Sequence, residues 1–88
     1  MSDINWNHLG FIKSSKIRKQ VLATLITGPK TPVEIALKSH IQLSHVSRSL
    51  SELLKKDIII CKNPKATKGK LYDLTVAGKK LVQNLDVS

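Results

Sequence analysis

The chain has 88 residues, one domain's worth, and 15 Lys plus Arg against six Asp plus Glu leave it at +9. At 41% apolar residues it can bury one modest core, so it is expected to be neither disordered nor a scaffold that needs cross-links. One cysteine, Cys61, excludes an intramolecular disulfide framework and any zinc site built from paired thiolates, which makes a reducing cytoplasm the expected compartment. No basic segment followed by an apolar run opens the chain, and no stretch approaches the roughly 18 apolar residues that span a bilayer. The charge instead implies a polyanionic partner: nucleic acid first, an anionic surface second.

Residues 1–13 read as an N-terminal arm or short amphipathic helix from about Asn5, with Trp6, Leu9, Phe11 and Ile12 as its apolar members and Gly10 weakening it. Ser14-Ser15 then offers a cap for a helix whose stripe is Ile17, Val21, Leu22 and Leu25, stopped by Gly28-Pro29. Thr31-Pro32-Val33-Glu34 marks the next start. Threonine stands at the N-cap, proline at the first helical position where its missing amide is harmless, and glutamate at the third to close a capping box. That helix runs to about Ser39. After the connection His40 to Leu43, Ser44 is expected to cap a helix from His45 to Lys56, so that 31–56 forms a helix-turn-helix.

Spacing at 100° per residue gathers Val46, Leu50, Leu53 and Leu54 on one arc of this third helix, the core side. The opposite arc carries Ser44, Arg48, Ser51, Glu52 and Lys55, with His45 and Ser47 on its flanks. Beyond Asp57 the β-branched run Ile58 to Cys61 reads as a strand ended by Pro64, and Leu71 to Leu74 as a second strand with Tyr72 and Leu74 on one face. The basic loop between them completes a β wing over 58–74. Thr75 is expected to cap a final helix, 75–85, whose apolar face is Ala77, Leu81 and Leu85 with Val82 alongside.

The order helix, helix, turn, helix, strand, basic loop, strand, helix is that of a winged helix-turn-helix: mainly α, with a three-helix core, a two-stranded wing and a C-terminal helix. Particular residues add a resemblance. Ser15-Lys16-x-Arg18, Thr31-Pro32-x-Glu34-Ile35-Ala36, Ser44-His45-Val46-Ser47-Arg48-x-Leu50, Cys61-Lys62-Asn63-Pro64 and Lys68-Gly69-Lys70-Leu71-Tyr72-x-Leu74-Thr75-x-x-Gly78 are similar to those of small archaeal winged-helix transcriptional regulators of the MarR/ArsR-like class. The resemblance covers nearly the whole chain from Trp6. It implies sequence-selective DNA binding, with Ser44 to Arg48 where such proteins insert their recognition helix and Lys65 to Lys70 in the wing. Likeness to the metal-sensing members stops at the fold, because their paired-cysteine motif is missing.

Physical chemistry supports the same residues independently. A helix N-terminus presents unpaired amides to a phosphate, which suits Ser44 and His45. Arg48, one turn further, matches the O6 and N7 acceptors of guanine; its other reading is a solvated pair with Glu52 at i+4. Ser47, Ser51 and Lys55 complete the candidate DNA face on the helix, although serine on a helix is often merely small. In the wing Lys62, Lys65, Lys68 and Lys70 are candidates for phosphate contact, with no acidic residue between Lys62 and Lys70. Their other reading is protection of a strand edge. Arg18, at the edge of an apolar stripe, is expected to pair internally with Glu34, Glu52 or Asp57, ahead of snorkelling or phosphate contact.

No nucleophile motif, glycine-rich phosphate cradle or metal-ligand spacing is present, so neither catalysis, a cofactor nor a resident metal is expected, and no small-molecule effector is evident. Double-stranded DNA is the expected partner, and a membrane is not. Because one recognition helix reads only a few base pairs, a homodimer is expected, with Trp6, Leu9, Phe11, Leu81, Val82 and Leu85 as its candidate interface; the other reading has these residues close over their own core. The competing function is a winged helix that docks a protein or RNA within a larger assembly.

Overall fold

A computed structural model describes residues 6–85, in the order α1 (Trp6–Lys13), α2 (Lys16–Leu25), α3 (Pro32–Ser39), α4 (Leu43–Lys55), β1 (Ile59–Cys61), β2 (Tyr72–Leu74) and α5 (Val76–Val82). Asn5, the expected start of the first segment, lies outside the described residues. The winged helix-turn-helix expected from caps and periodicity is what the chain forms. The N-terminal segment is a helix rather than an arm, and Leu9 and Ile12 anchor it to the core.

Local chemistry explains the starts. Ser15 caps α2 by accepting from the Arg18 amide, and Thr31 caps α3 in a complete box: the Thr31 N–H donates to Glu34 Oε1 at 2.9 Å and the Glu34 N–H to Thr31 Oγ1 at 3.2 Å. Thr75 caps α5 through the Gly78 amide, and its hydroxyl also lies 2.7 Å from the Asp57 carbonyl and 3.0 Å from that of Ile58. One side chain therefore ties the last helix to the turn that leaves α4. Between α3 and α4 the chain reverses at His40, whose φ of 57° is left-handed.

The start of α4 differs from the expectation. It begins at Leu43, with Gln42 at the N-cap and no side-chain cap, because the amides of both His45 and Val46 donate to the Gln42 carbonyl. Ser44 thus lies inside the first turn and does not cap it. The helix also ends one residue earlier than expected, at Lys55.

The strands pair antiparallel, Ile59 opposite Leu74 and Cys61 opposite Tyr72. Ile58, expected in the strand, precedes it as a fully buried residue, while Ile60 faces outward. A third edge was not expected: Lys30 bridges Tyr72 with backbone bonds of 3.0 and 2.9 Å in the two directions, fastening the wing to the segment before α3. The Lys30 side chain is buried, its Nζ donating to Thr27 Oγ1 and the Gly28 carbonyl.

All elements share one core, from Leu9 and Ile12 through Val21, Leu22, Leu25, Ile35, Val46, Leu50 and Leu53 to Ile58, Ile59 and Leu74. Leu81, Val82 and Leu85 close it. This corrects the expected interface: Leu9, Leu81, Val82 and Leu85 are at most 8% exposed within a single chain, and Phe11 is half-buried. Their apolar surface is already satisfied by a small domain's need for core. Of the six residues, Trp6 alone is exposed, at 65%. In α5, Ala77 faces solvent and Gly78 takes the inward position, packed against the Ile58 carbonyl with no room for a Cβ. The helix itself stops at Val82, leaving Leu85 to return to the core from the following turn.

Candidate nucleic-acid interface

The outward side of α4 is built by subtraction. Val46, Leu50 and Leu53 face the core, and Ser49, also buried, lets α4 lie against its neighbours. What remains exposed is Leu43 and, beyond it, Ser44, His45, Ser47, Arg48, Ser51 and Lys55, the six helix residues expected on the binding face. Short hydroxyls leave room for a groove edge to approach, and Arg48 projects among them.

Two grooves flank the first turns of this helix. One is lined by Ser15, Arg18, His45, Arg48 and Glu52, between α2 and α4. The other lies between α4, the start of α3 and the wing, and brings Leu43 and Ser47 together with Val33, Thr67, Gly69 and Lys70. Lys70 of the wing and Ser47 of α4 therefore border one surface. Lys55, at the far end of a 13-residue helix, lies about 18 Å along the axis from Leu43 and outside both grooves. Lys62, Lys65 and Lys68 are exposed along the wing and line neither groove.

Arg18 and Arg48 divide their roles sharply. Arg18 donates to both oxygens of Glu52 at 3.2 Å and to the Phe11 carbonyl at 2.9 Å, and its guanidinium lies 3.7 Å from the centre of the Phe11 ring. Lys56 approaches the same ring at 4.8 Å. The internal pair expected for Arg18 is thus made with Glu52. The hydrogen bond from Arg18, aided by the charges of Arg18, Arg48 and Lys55, holds the Glu52 carboxyl below its usual range despite some desolvation. Glu52, committed to α2, leaves Arg48 without an ion pair among the described residues.

The wing is shaped by Asn63, which enters the sequence reading only as part of a motif, with no role assigned. Its Oδ1 accepts from the Leu71 amide at 2.6 Å, and its Nδ2 donates to the Gly69 carbonyl at 3.2 Å. The loop is pinned across its base. Gly69 turns the tip with φ 66°, a conformation costly for any residue with a Cβ. At the wing's foot Tyr72 is half-buried, and desolvation, with a smaller contribution from Cys61, pushes its phenol above 10.0.

The residues missed by sequence reading are the exposed apolar ones at this surface, Val33 and Leu43, at 54% and 46% exposure. Leu43, expected in the connection before the helix, instead opens α4. It is open to solvent because it stands at the end of the helix, beyond the element that would cover it.

Among the described residues no three His, Cys, Asp or Glu side chains gather as a metal site, and no helix is long and apolar enough to cross a membrane. No family model matches the chain, and no curated protein matches its sequence. Solved structures do match. The reduced form of MarR from Escherichia coli superposes with a TM-score of 0.73 at 24% identity, over 89% of this chain and 59% of that one. The adhesin competence repressor AdcR of Streptococcus pyogenes gives 0.71 at 18%, covering 80% and 53%. ZitR of Lactococcus lactis, solved in complex with DNA, gives 0.69 at 20%, covering 76% and 47%. This chain spans about half the length of the structures it resembles. They are bacterial and bear on the MarR side of the resemblance, adding nothing on an archaeal source or an ArsR link. The chain has the winged-helix fold of MarR-family transcription regulators.

Proposed function

We propose that the protein is a sequence-selective double-stranded DNA-binding regulator that acts in the cytoplasm by occupying its site, with no catalysis and no cofactor. Residues Ser44, His45, Ser47, Arg48 and Ser51 of α4 enter the major groove, and the lysines of the wing hold the flanking backbone. The observation that carries this reading is the shared surface of α4 and the wing, where the Ser47 hydroxyl adjoins Lys70, together with Arg48 in the neighbouring groove of the same helix, exposed and without an ion pair among the described residues, on a chain of charge +9. Hydroxyls and a guanidinium carry the donors and acceptors that base edges recognise, and lysines supply sequence-independent attraction.

The competing reading, docking of a protein or RNA, draws on Val33 and Leu43, but the cations and hydroxyls beside them fit a polyanionic duplex better. Selecting bound duplexes from a random DNA pool at two salt concentrations tests the proposal. Enrichment of a defined motif at both supports it; recovery of unrelated sequences throughout refutes it.

A two-fold partner would place two recognition helices about 34 to 36 Å apart on a pseudo-palindromic site. We place any such contact at the exposed Trp6, not at the buried residues of α5.

A further inference from the structure

We propose that Leu43 reads the methyl group of a thymine, which makes it a specificity-determining residue beside Arg48. The inference rests on the DNA-binding reading above and deepens it by naming one base-edge group. Leu43 opens α4 at 46% exposure and shares a groove with Val33, Ser47, Thr67 and Lys70. The groove is apolar on its α3 and α4 sides and basic at the wing. Of the groups a base pair presents in the major groove, the C5 methyl of thymine is the apolar one. The C5 methyl also lies nearer its own sugar–phosphate backbone than the O4 acceptor of the same thymine does. A strand held between Lys70 and α4 therefore carries its thymine methyls along the side of the groove where Leu43 stands. An incoming protein surface would have to desolvate Lys70 and the hydroxyls of Ser47 and Thr67, whereas a DNA strand supplies the anion that Lys70 lacks among the described residues.

Deoxyuridine in place of thymidine removes that methyl and keeps every base pair. In the preferred duplex, a single such replacement at the contacted thymidine is expected to weaken wild-type binding roughly fourfold, the equilibrium equivalent of one buried methyl. Leu43→Ala is expected to bind both duplexes equally, and Leu43→Met, which keeps an apolar tip, to retain the discrimination. Indifference of the wild type to every thymidine replacement overturns the methyl contact alone, while an equal loss in Leu43→Ala assigns the effect to another residue or to duplex shape and overturns it too. Failure to find any preferred duplex overturns both this inference and the DNA-binding reading.

Discussion

Arg18 and Arg48 show how far a single residue's role can be read from type and spacing. Both are arginines near acidic neighbours, and helical spacing makes Glu52 a partner for Arg48 at i+4. The structure gives Glu52 to Arg18, 34 residues away, because α2 and α4 cross where Phe11 offers a ring and a carbonyl to the same guanidinium. A pairing between elements depends on how helices cross, which no local pattern records. Gly78 illustrates the same limit. Its spacing is unremarkable beside Ala77, yet it faces the Ile58 carbonyl with no space for a Cβ. Gly78→Ala is expected to destabilise the fold by about 1 to 3 kcal/mol, since the collision is with backbone and not with a side chain that can swing away. Urea denaturation checks this. Ala77→Gly, on the exposed neighbour, should lose only about 1 kcal/mol or less through helix propensity.

At the scale of elements, what was legible followed from local chemistry. The capping box of Thr31 and the hydroxyl caps of Ser15 and Thr75 form because their partners lie within three residues, and periodicity gave the core side of α4 for the same reason. The start of α4 was misread because a serine near a helix start looks like a cap, whereas the backbone bonds begin at Gln42. The Lys30 bridge escaped because a single residue between Pro29 and Thr31 carries no strand pattern. The wing's basic loop was legible by composition, and its pinning by Asn63 was not. Replacing Lys65, Lys68 and Lys70 together with Ala is expected to weaken binding to every duplex. It should flatten the slope of log K against log salt by about 0.9 for each phosphate contact removed. A slope unchanged by the triple substitution would place the wing away from DNA. Asn63→Ala should mimic part of this loss with all lysines intact.

For the whole molecule, core and charge set the testable behaviour. The apolar residues at the chain's two ends were ambiguous in sequence because a small domain and a dimer interface draw on the same residue types; the structure spends Leu81, Val82 and Leu85 on the core. Leu85→Glu is therefore expected to destabilise folding by more than about 3 kcal/mol, read as lost circular dichroism, instead of yielding a folded monomer. A folded variant with reduced sedimentation would restore the interface first expected there.

Acid stability follows from Glu52 and Glu34, both held below 4.5: Glu52 chiefly by its hydrogen bond from Arg18, Glu34 chiefly by the Thr31 amide. A carboxyl whose folded pKa is depressed contributes stability that is present above its unfolded value and lost as pH falls through the folded one. The urea midpoint should thus decline as pH drops below 4.5, and Glu52→Gln should reduce that decline. An identical pH profile in the variant would show that the pair does not stabilise the fold. Because Glu52 is partly exposed, its share is a fraction of the total.

The claim that α4 reads bases while the wing holds phosphates is tested most directly by titrating Arg48→Ala against the preferred duplex and a scrambled one at equal salt. A loss of about 1 to 3 kcal/mol is expected on the preferred duplex and little on the scrambled one, because a base contact goes while phosphate contacts stay. Equal losses on the two duplexes would contradict it and reduce Arg48 to one more backbone contact.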